Sequence, residues 1–257
     1  MQTAIGMRYL GLVLLGTITI SGCGKRGPLV YPDMLVPEAP QSVQLEQQGS
    51  SLQLSFNLPA RDRRGRGLKE PFVVQVQRRE LQPDEQAACG SCAKDYHTAR
   101  LIDPAFPAPA MKFGNRMVLL DSEVSQGKRY QYRIAAISTD GAESGALAET
   151  ATARVCSVPL PPVITAQAVH GGMIVLQLQG ELPENAELVG FALYRASGDE
   201  ALPPLPLVTT LGATRYEDQT VQQGVSYRYA ARTVVRRGDD LLMSSELSAV
   251  VVSSPAD

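Results

Sequence analysis

From Pro37 onward the chain alternates apolar and polar side chains in short runs, and a period of two marks a strand with one buried face. Ser42-Val43-Gln44-Leu45-Glu46 and Leu52-Gln53-Leu54-Ser55-Phe56 alternate in this way around a Gln48-Gly49-Ser50-Ser51 turn. Phe72 to Gln77 and Met117 to Leu120 read as further strands, and Tyr130-Gln131-Tyr132-Arg133-Ile134-Ala135-Ala136-Ile137 is the cleanest. No window beyond the first 23 residues carries a convincing helical period. The pattern predicts an all-β protein, and 22 Gly and 18 Pro supply the turns such a fold needs.

An internal repeat organises the strands. Asp121-Ser122-Glu123-Val124-Ser125-Gln126-Gly127-Lys128-Arg129-Tyr130-Gln131-Tyr132 recurs as Asp218-Gln219-Thr220-Val221-Gln222-Gln223-Gly224-Val225-Ser226-Tyr227-Arg228-Tyr229, with Asp, Val, Gln, Gly, Tyr and Tyr coinciding at an offset of 97. A period near 100 residues is the length of one β-sandwich rather than of a solenoid unit. The Asp-x-x-Val-x-x-Gly-x-x-Tyr-x-Tyr segment resembles the E-to-F region of fibronectin type III domains. That resemblance implies two tandem immunoglobulin-like sandwiches and makes Tyr130 and Tyr227 tyrosine corners, whose rings pack while their hydroxyls bond upstream backbone. The strand-B Trp of that family is absent, and Phe56 and Leu176 stand in its place. The expected organisation is a signal peptide over 1–22, a tether over 23–36, and fibronectin type III-like domains over 37–155 and 158–253.

The N-terminal residues read as an export address. Arg8 precedes an apolar run from Tyr9 to Ile20, too short for a comfortable membrane span, followed by Ser21-Gly22-Cys23. Ile20-Ser21-Gly22-Cys23 resembles the bacterial lipobox, which implies cleavage after Gly22 and lipidation of Cys23. Gly24 in the second mature position resembles the sorting rule for outer-membrane delivery. Cys23-Gly24-Lys25-Arg26-Gly27-Pro28-Leu29-Val30-Tyr31-Pro32 is similar to the opening of the small LptM-type lipoproteins, which assist the lipopolysaccharide translocon. In that likeness Gly24, Lys25, Arg26, Gly27, Pro28, Leu29 and Pro32 form a sorting or tether motif.

Composition adds exclusions. The net charge is −2, and −3 once the segment carrying Arg8 is removed, so the chain lacks the basic excess of a nucleic-acid binder. Its two histidines, His97 and His170, leave little for His-based catalysis or a multi-His metal site. No Ser-His-Asp arrangement, phosphate-cradling Gly loop or paired-carboxylate motif stands out, and the isolated Asp and Glu residues read mostly as turn residues. One basic loop, Arg61-Asp62-Arg63-Arg64-Gly65-Arg66-Gly67-Leu68-Lys69, lies between strands B and C. Its cations Arg61, Arg63, Arg64, Arg66 and Lys69 form a candidate anion-binding loop.

Cys89, Cys92 and Cys156 are disulfide candidates. Three cysteines cannot all pair within one chain. An oxidising compartment favours a bridge, and the adjacent Cys89–Cys92 pair is the expected one, with Cys156 left free. A bridge from the Cys89 to Cys92 loop to Cys156 is the alternative: it closes a long loop, worth roughly 4 kcal/mol on chain-entropy arithmetic. A zinc site that adds His97 and a redox Cys-x-x-Cys are weaker readings.

These features predict a non-enzymatic, cofactor-free and metal-free binding or scaffold protein, lipid-anchored on the periplasmic side of the outer membrane. Its expected partners are the membrane, through the N-terminal lipid, and an envelope protein or glycolipid. The alternatives are an accessory of lipopolysaccharide-translocon assembly acting through residues 23–32, and a periplasmic thiol-disulfide or metal-dependent enzyme using Cys89 and Cys92.

Overall fold

The computed structural model describes residues 31, 34–68, 71–83, 95–138, 151–169, 171–181, 185–238 and 241–255. The strands all fall within the compact unit Asp33–Asp257. The first module comprises β1 (Gln41–Gln48), β2 (Ser51–Asn57), β3 (Phe72–Leu81), β4 (His97–Ile102), β5 (Met111–Phe113), β6 (Arg116–Asp121), β7 (Arg129–Ser138) and β8 (Ala151–Arg154). The second comprises β9 (Val163–Val169), β10 (Met173–Gln179), β11 (Glu187–Ser197), β12 (Val208–Leu211), β13 (Arg215–Asp218), β14 (Tyr227–Arg237), β15 (Leu241–Ser244) and β16 (Val251–Ser253).

Each module opposes two sheets. In the first, β1-β2-β6-β5 faces β4-β3-β7-β8; in the second, β13-β10-β9 faces β12-β11-β14 with β15 and β16 along the free side of β14. Both carry the strand order of a fibronectin type III sandwich, A-B-E against C′-C-F-G. Alternation builds the cores. Leu52, Leu54 and Phe56 of β2 meet Val74 and Val76 of β3 and Ile134 of β7. Ile174, Leu176 and Leu178 of β10 meet Phe191 and Leu193 of β11 and Tyr229 of β14. Phe56 and Leu176 are fully buried, filling the space a strand-B Trp would take.

The modules share a sheet. Strand G of the second module is broken into β15 and β16, and two serines hold the break open. Ser245 and Ser248 hydroxyls accept the N–H groups of Thr233 and Ala231 on β14, while their own backbone N–H groups donate to the carbonyls of the same two residues. Every ladder group of β14 along the break is thus satisfied, as buried backbone requires. Above the break, β15 pairs in parallel with β1 through Gln47–Met243 and Gln48–Ser244. The result is a nine-stranded sheet, β12-β11-β14-β15-β1-β2-β6-β5 with β16 also on β14, crossing from one module to the other.

Candidate functional site: the cleft between the modules

Polar side chains fix the junction. Gln47 on β1 is 1% exposed. Its amide donates to the carbonyls of Cys156 (2.7 Å) and Gly49 (3.0 Å), and its oxygen accepts the Cys156 N–H (2.8 Å). One side chain thereby pins the segment joining the modules to the edge of the first. Glu246, in the break between β15 and β16, accepts from the backbone N–H and hydroxyl of Ser50 at 2.8 and 3.1 Å. The Gly49 N–H donates to the Ser244 carbonyl. Gly49 has a φ of +59°, a conformation that favours glycine, and a Cβ there would lie 2.2 Å from the Glu246 carboxylate and displace it.

Above the β1–β15 seam lies a cleft of about 400 Å³ to which both modules contribute. Gln44, Glu46 and Gln48 of β1 and Arg116 of β6 form one wall; Tyr194 of β11 and the Pro204-Leu205-Pro206 segment form the other. Arg116 donates to Gln44 Oε1 and Ser55 Oγ, which fixes its guanidinium. Burial pushes the Glu46 carboxyl above its usual range, against the pull of Arg116. Burial likewise raises the Tyr194 phenol, with the Arg232 guanidinium over its ring working the other way. Ala192, Tyr194 and Val234 form a small apolar cluster with Leu202 and Leu242 on this face. An apolar floor with amide, carboxylate and guanidinium walls suits reversible binding through hydrogen bonds.

The two tyrosine positions sit alike. Tyr130 Oη accepts the Ser125 N–H at 3.0 Å and Tyr227 Oη the Gln222 N–H at 2.9 Å, each five residues upstream. Arg78 and Arg195 lie over these rings at 5.4 and 5.3 Å. The same arginines lead to a feature the sequence reading missed. Asp121 and Asp218, the shared Asp of the repeat, are buried rather than turn residues at the surface. Asp121 accepts from Arg78 (2.7 Å) and Tyr132 (2.7 Å). Asp218 accepts from Arg195 (2.7 and 2.9 Å), Tyr229 (2.9 Å), and the N–H and hydroxyl of Thr220 (3.0 and 2.8 Å). Burial by itself would raise Asp218; the Arg195, Thr220 and Tyr229 bonds outweigh it and hold the carboxyl below its usual value. Burial, reinforced by the neighbouring carboxylates, pushes the Tyr132 and Tyr229 phenols far up. These are structural knots, one per module, that tie strand C to the E–F turn.

The other predicted residues are dispersed. Arg61, Arg63, Arg64 and Arg66 lie at the pole of the first module where β2 ends; Lys69 is outside the described residues. So are Cys23 through Leu29, Pro32, Cys89, Cys92 and His170. Cys156 is half-buried with a free thiol, and His97 is exposed on β4. Among the described residues no three His, Cys, Asp or Glu side chains converge as metal ligands would.

No family model matches the chain, and no curated protein matches it. Among solved structures, the crystal structure of the chicken CNTN1 FN1-FN3 domains is similar at 12% identity with a TM-score of 0.36, over 86% of this chain and 69% of that one. The strand order of each module, rather than this distant likeness, defines the fold: immunoglobulin-like β-sandwiches of fibronectin type III arrangement.

Proposed function

We propose that the protein is a lipid-anchored binding or scaffold protein on the periplasmic side of the bacterial outer membrane, acting without catalysis. The observation that carries the binding part is the cleft on the shared sheet, where two modules contribute opposite walls to one polar-rimmed groove. The anchor rests on Ile20-Ser21-Gly22-Cys23 after its apolar run, and the outer-membrane address on Gly24. Metabolic labelling with a fatty acid and membrane fractionation test the anchor. Cys23→Ser should abolish acylation and release the chain from the membrane; unchanged acylation and fractionation refute it. Crosslinking with Glu46 or Gln48 replaced by a photoreactive residue tests the cleft, and adducts equal to those from a module-two surface position would remove it from the proposal.

The likeness of Cys23–Pro32 to LptM-type lipoproteins favours a second reading, an accessory of the lipopolysaccharide translocon. Recovery of translocon subunits in the crosslinking experiment supports it, provided that scrambling residues 24–32 abolishes the recovery. Under either reading the Cys89–Cys92 pair serves as a structural bridge, which peptide mapping without reductant tests directly.

A further inference from the structure

Strand registers sort the loops of the first module into two ends. Gln41 pairs Asn57, and Asn57 pairs Arg116, so the start of β1, the end of β2 and the start of β6 share one end. Phe72 pairs Ser138 and Val74 pairs Ile102, which brings the start of β3 and the end of β4 to the end reached by the β2–β3 loop. The lead-in over 34–40, the basic loop and the stretch 103–115 therefore converge on this pole. The basic loop has a fixed shape there. Asp62 is 8% exposed, and its carboxylate accepts the Arg64 and Arg66 N–H groups, both at 2.9 Å. The Glu38 N–H donates to the Arg61 carbonyl, and the Arg63 N–H to the Val36 carbonyl.

The pole combines two features. Among its described residues are the cations Arg61, Arg63, Arg64, Arg66 and Lys112 against the carboxylates of Glu38, Asp62 and Asp103, in a chain whose net charge is −2. It also exposes Met34, Leu35, Phe106 (80%) and Phe113 beside those cations. Apolar and aromatic side chains sharing an end with arginines, on loops and the short β5 rather than in a groove, match the boundary of a bilayer, where the rings enter the headgroup layer and guanidinium groups pair with phosphates. Met34, the first described residue of the compact unit, lies at the same pole. Only ten residues lie between Cys23 and Met34, a reach of at most about 36 Å over the eleven steps.

We infer that this pole of the first module is a membrane-contact surface for anionic phospholipid headgroups, docking the sandwich on the leaflet that holds its anchor. The inference rests on the Cys23 anchor for its setting, but its test does not use the lipid. The signal-cleaved chain carrying Cys23→Ser, otherwise complete, is floated with vesicles of phosphatidylcholine, with and without phosphatidylglycerol. Binding should require phosphatidylglycerol and weaken with salt. Replacing Arg61, Arg64 and Arg66 together with Ser should weaken it about 100-fold, at roughly five-fold per charge near the surface. Replacing Leu35 and Phe106 with Ser should weaken it roughly ten-fold, and that loss should persist in high salt. Replacing Arg215, Arg228 and Arg236 of the second module with Ser removes the same charge elsewhere and should leave binding unchanged, with circular dichroism verifying the fold of each variant. Equal binding to both vesicle types, no binding at all, or equal losses from the two arginine triples would overturn the inference. None of those results bears on acylation of Cys23, so the anchor and the docking surface fail separately.

Discussion

Asp218→Asn isolates the charge of a buried knot while keeping its shape. Asp218 is fully buried and accepts five hydrogen bonds: two from Arg195, two from Thr220 and one from Tyr229. An Asn at this site can keep its oxygen toward the Thr220 N–H and hydroxyl, but its NH₂ then faces two donors, the Arg195 guanidinium and the Tyr229 hydroxyl. Removing one partner of a buried ion pair typically costs about 3–5 kcal/mol. Arg195 keeps 21% of its side chain in solvent and can be partly rehydrated, which places the expectation near the low end, about 3 kcal/mol. Urea unfolding followed by far-UV circular dichroism at neutral pH measures it. The sign with pH is a second check. The folded carboxyl titrates below its ordinary value near 3.8, so its stabilisation is present above that pH and is lost as pH falls through the lower folded value. The gap between wild type and Asp218→Asn should therefore close in strong acid. A loss under about 1 kcal/mol at neutral pH, the size of an ordinary neutral hydrogen bond, would refute the knot as a buried charge pair, and so would a gap that persists in acid.

Three further outcomes follow from the same geometry. Tyr130→Phe and Tyr227→Phe each strand one backbone N–H, of Ser125 and Gln222, and should lower stability by about 1 kcal/mol in urea melts; an unchanged midpoint would remove the corner bond from the account. Gly49→Ala should cost about 1–2 kcal/mol through its left-handed backbone. Because it also evicts the Glu246 carboxylate, its cost combined with Glu246→Ala should fall short of the sum, and strict additivity in a double-mutant cycle would contradict the close approach. Glu46→Gln removes a carboxylate whose folded pKa is raised by burial above the usual 4.5, a group that favours folding least when ionised. The variant should melt higher than wild type at neutral pH and equally well below that value, and a shift of the same size at both pH values would count against the desolvated carboxylate.

The sandwiches were legible in the sequence because their information is local. Leu52, Leu54 and Phe56 alternate within one strand, and the Asp-to-Tyr repeat recurs intact at 97 residues. The same repeat displayed Asp121 and Asp218 without their purpose, since the partner arginines lie outside it. Arg78 and Arg195 are 117 residues apart rather than 97, displaced by the longer β3-to-β6 stretch of the first module. The shared sheet left no pattern to read. Its determinants are a Gln, a Gly, three Ser and a Glu, types found in any polar loop, and Glu246 meets Ser50 across 196 residues. A buried Gln47 looks like every other Gln on an alternating strand until Cys156 is folded against it. The cleft inherits this opacity, since its two walls belong to different modules.

The seam between β1 and β15 also disposes of two liabilities at once. An open strand edge offers unpaired N–H and C=O groups to any passing chain, and sandwiches guard such edges with charge, proline or a bulge. Here the A-strand edge of one module and the upper G-strand edge of the other cover one another through Gln47–Met243 and Gln48–Ser244. Below the seam, the serine-held break keeps the remainder of strand G on β14, where β16 pairs with it. Severing the modules at the Cys156 linker would uncover both edges together. Self-association of the halves, rather than loss of either core, is then the characteristic hazard of taking this molecule apart.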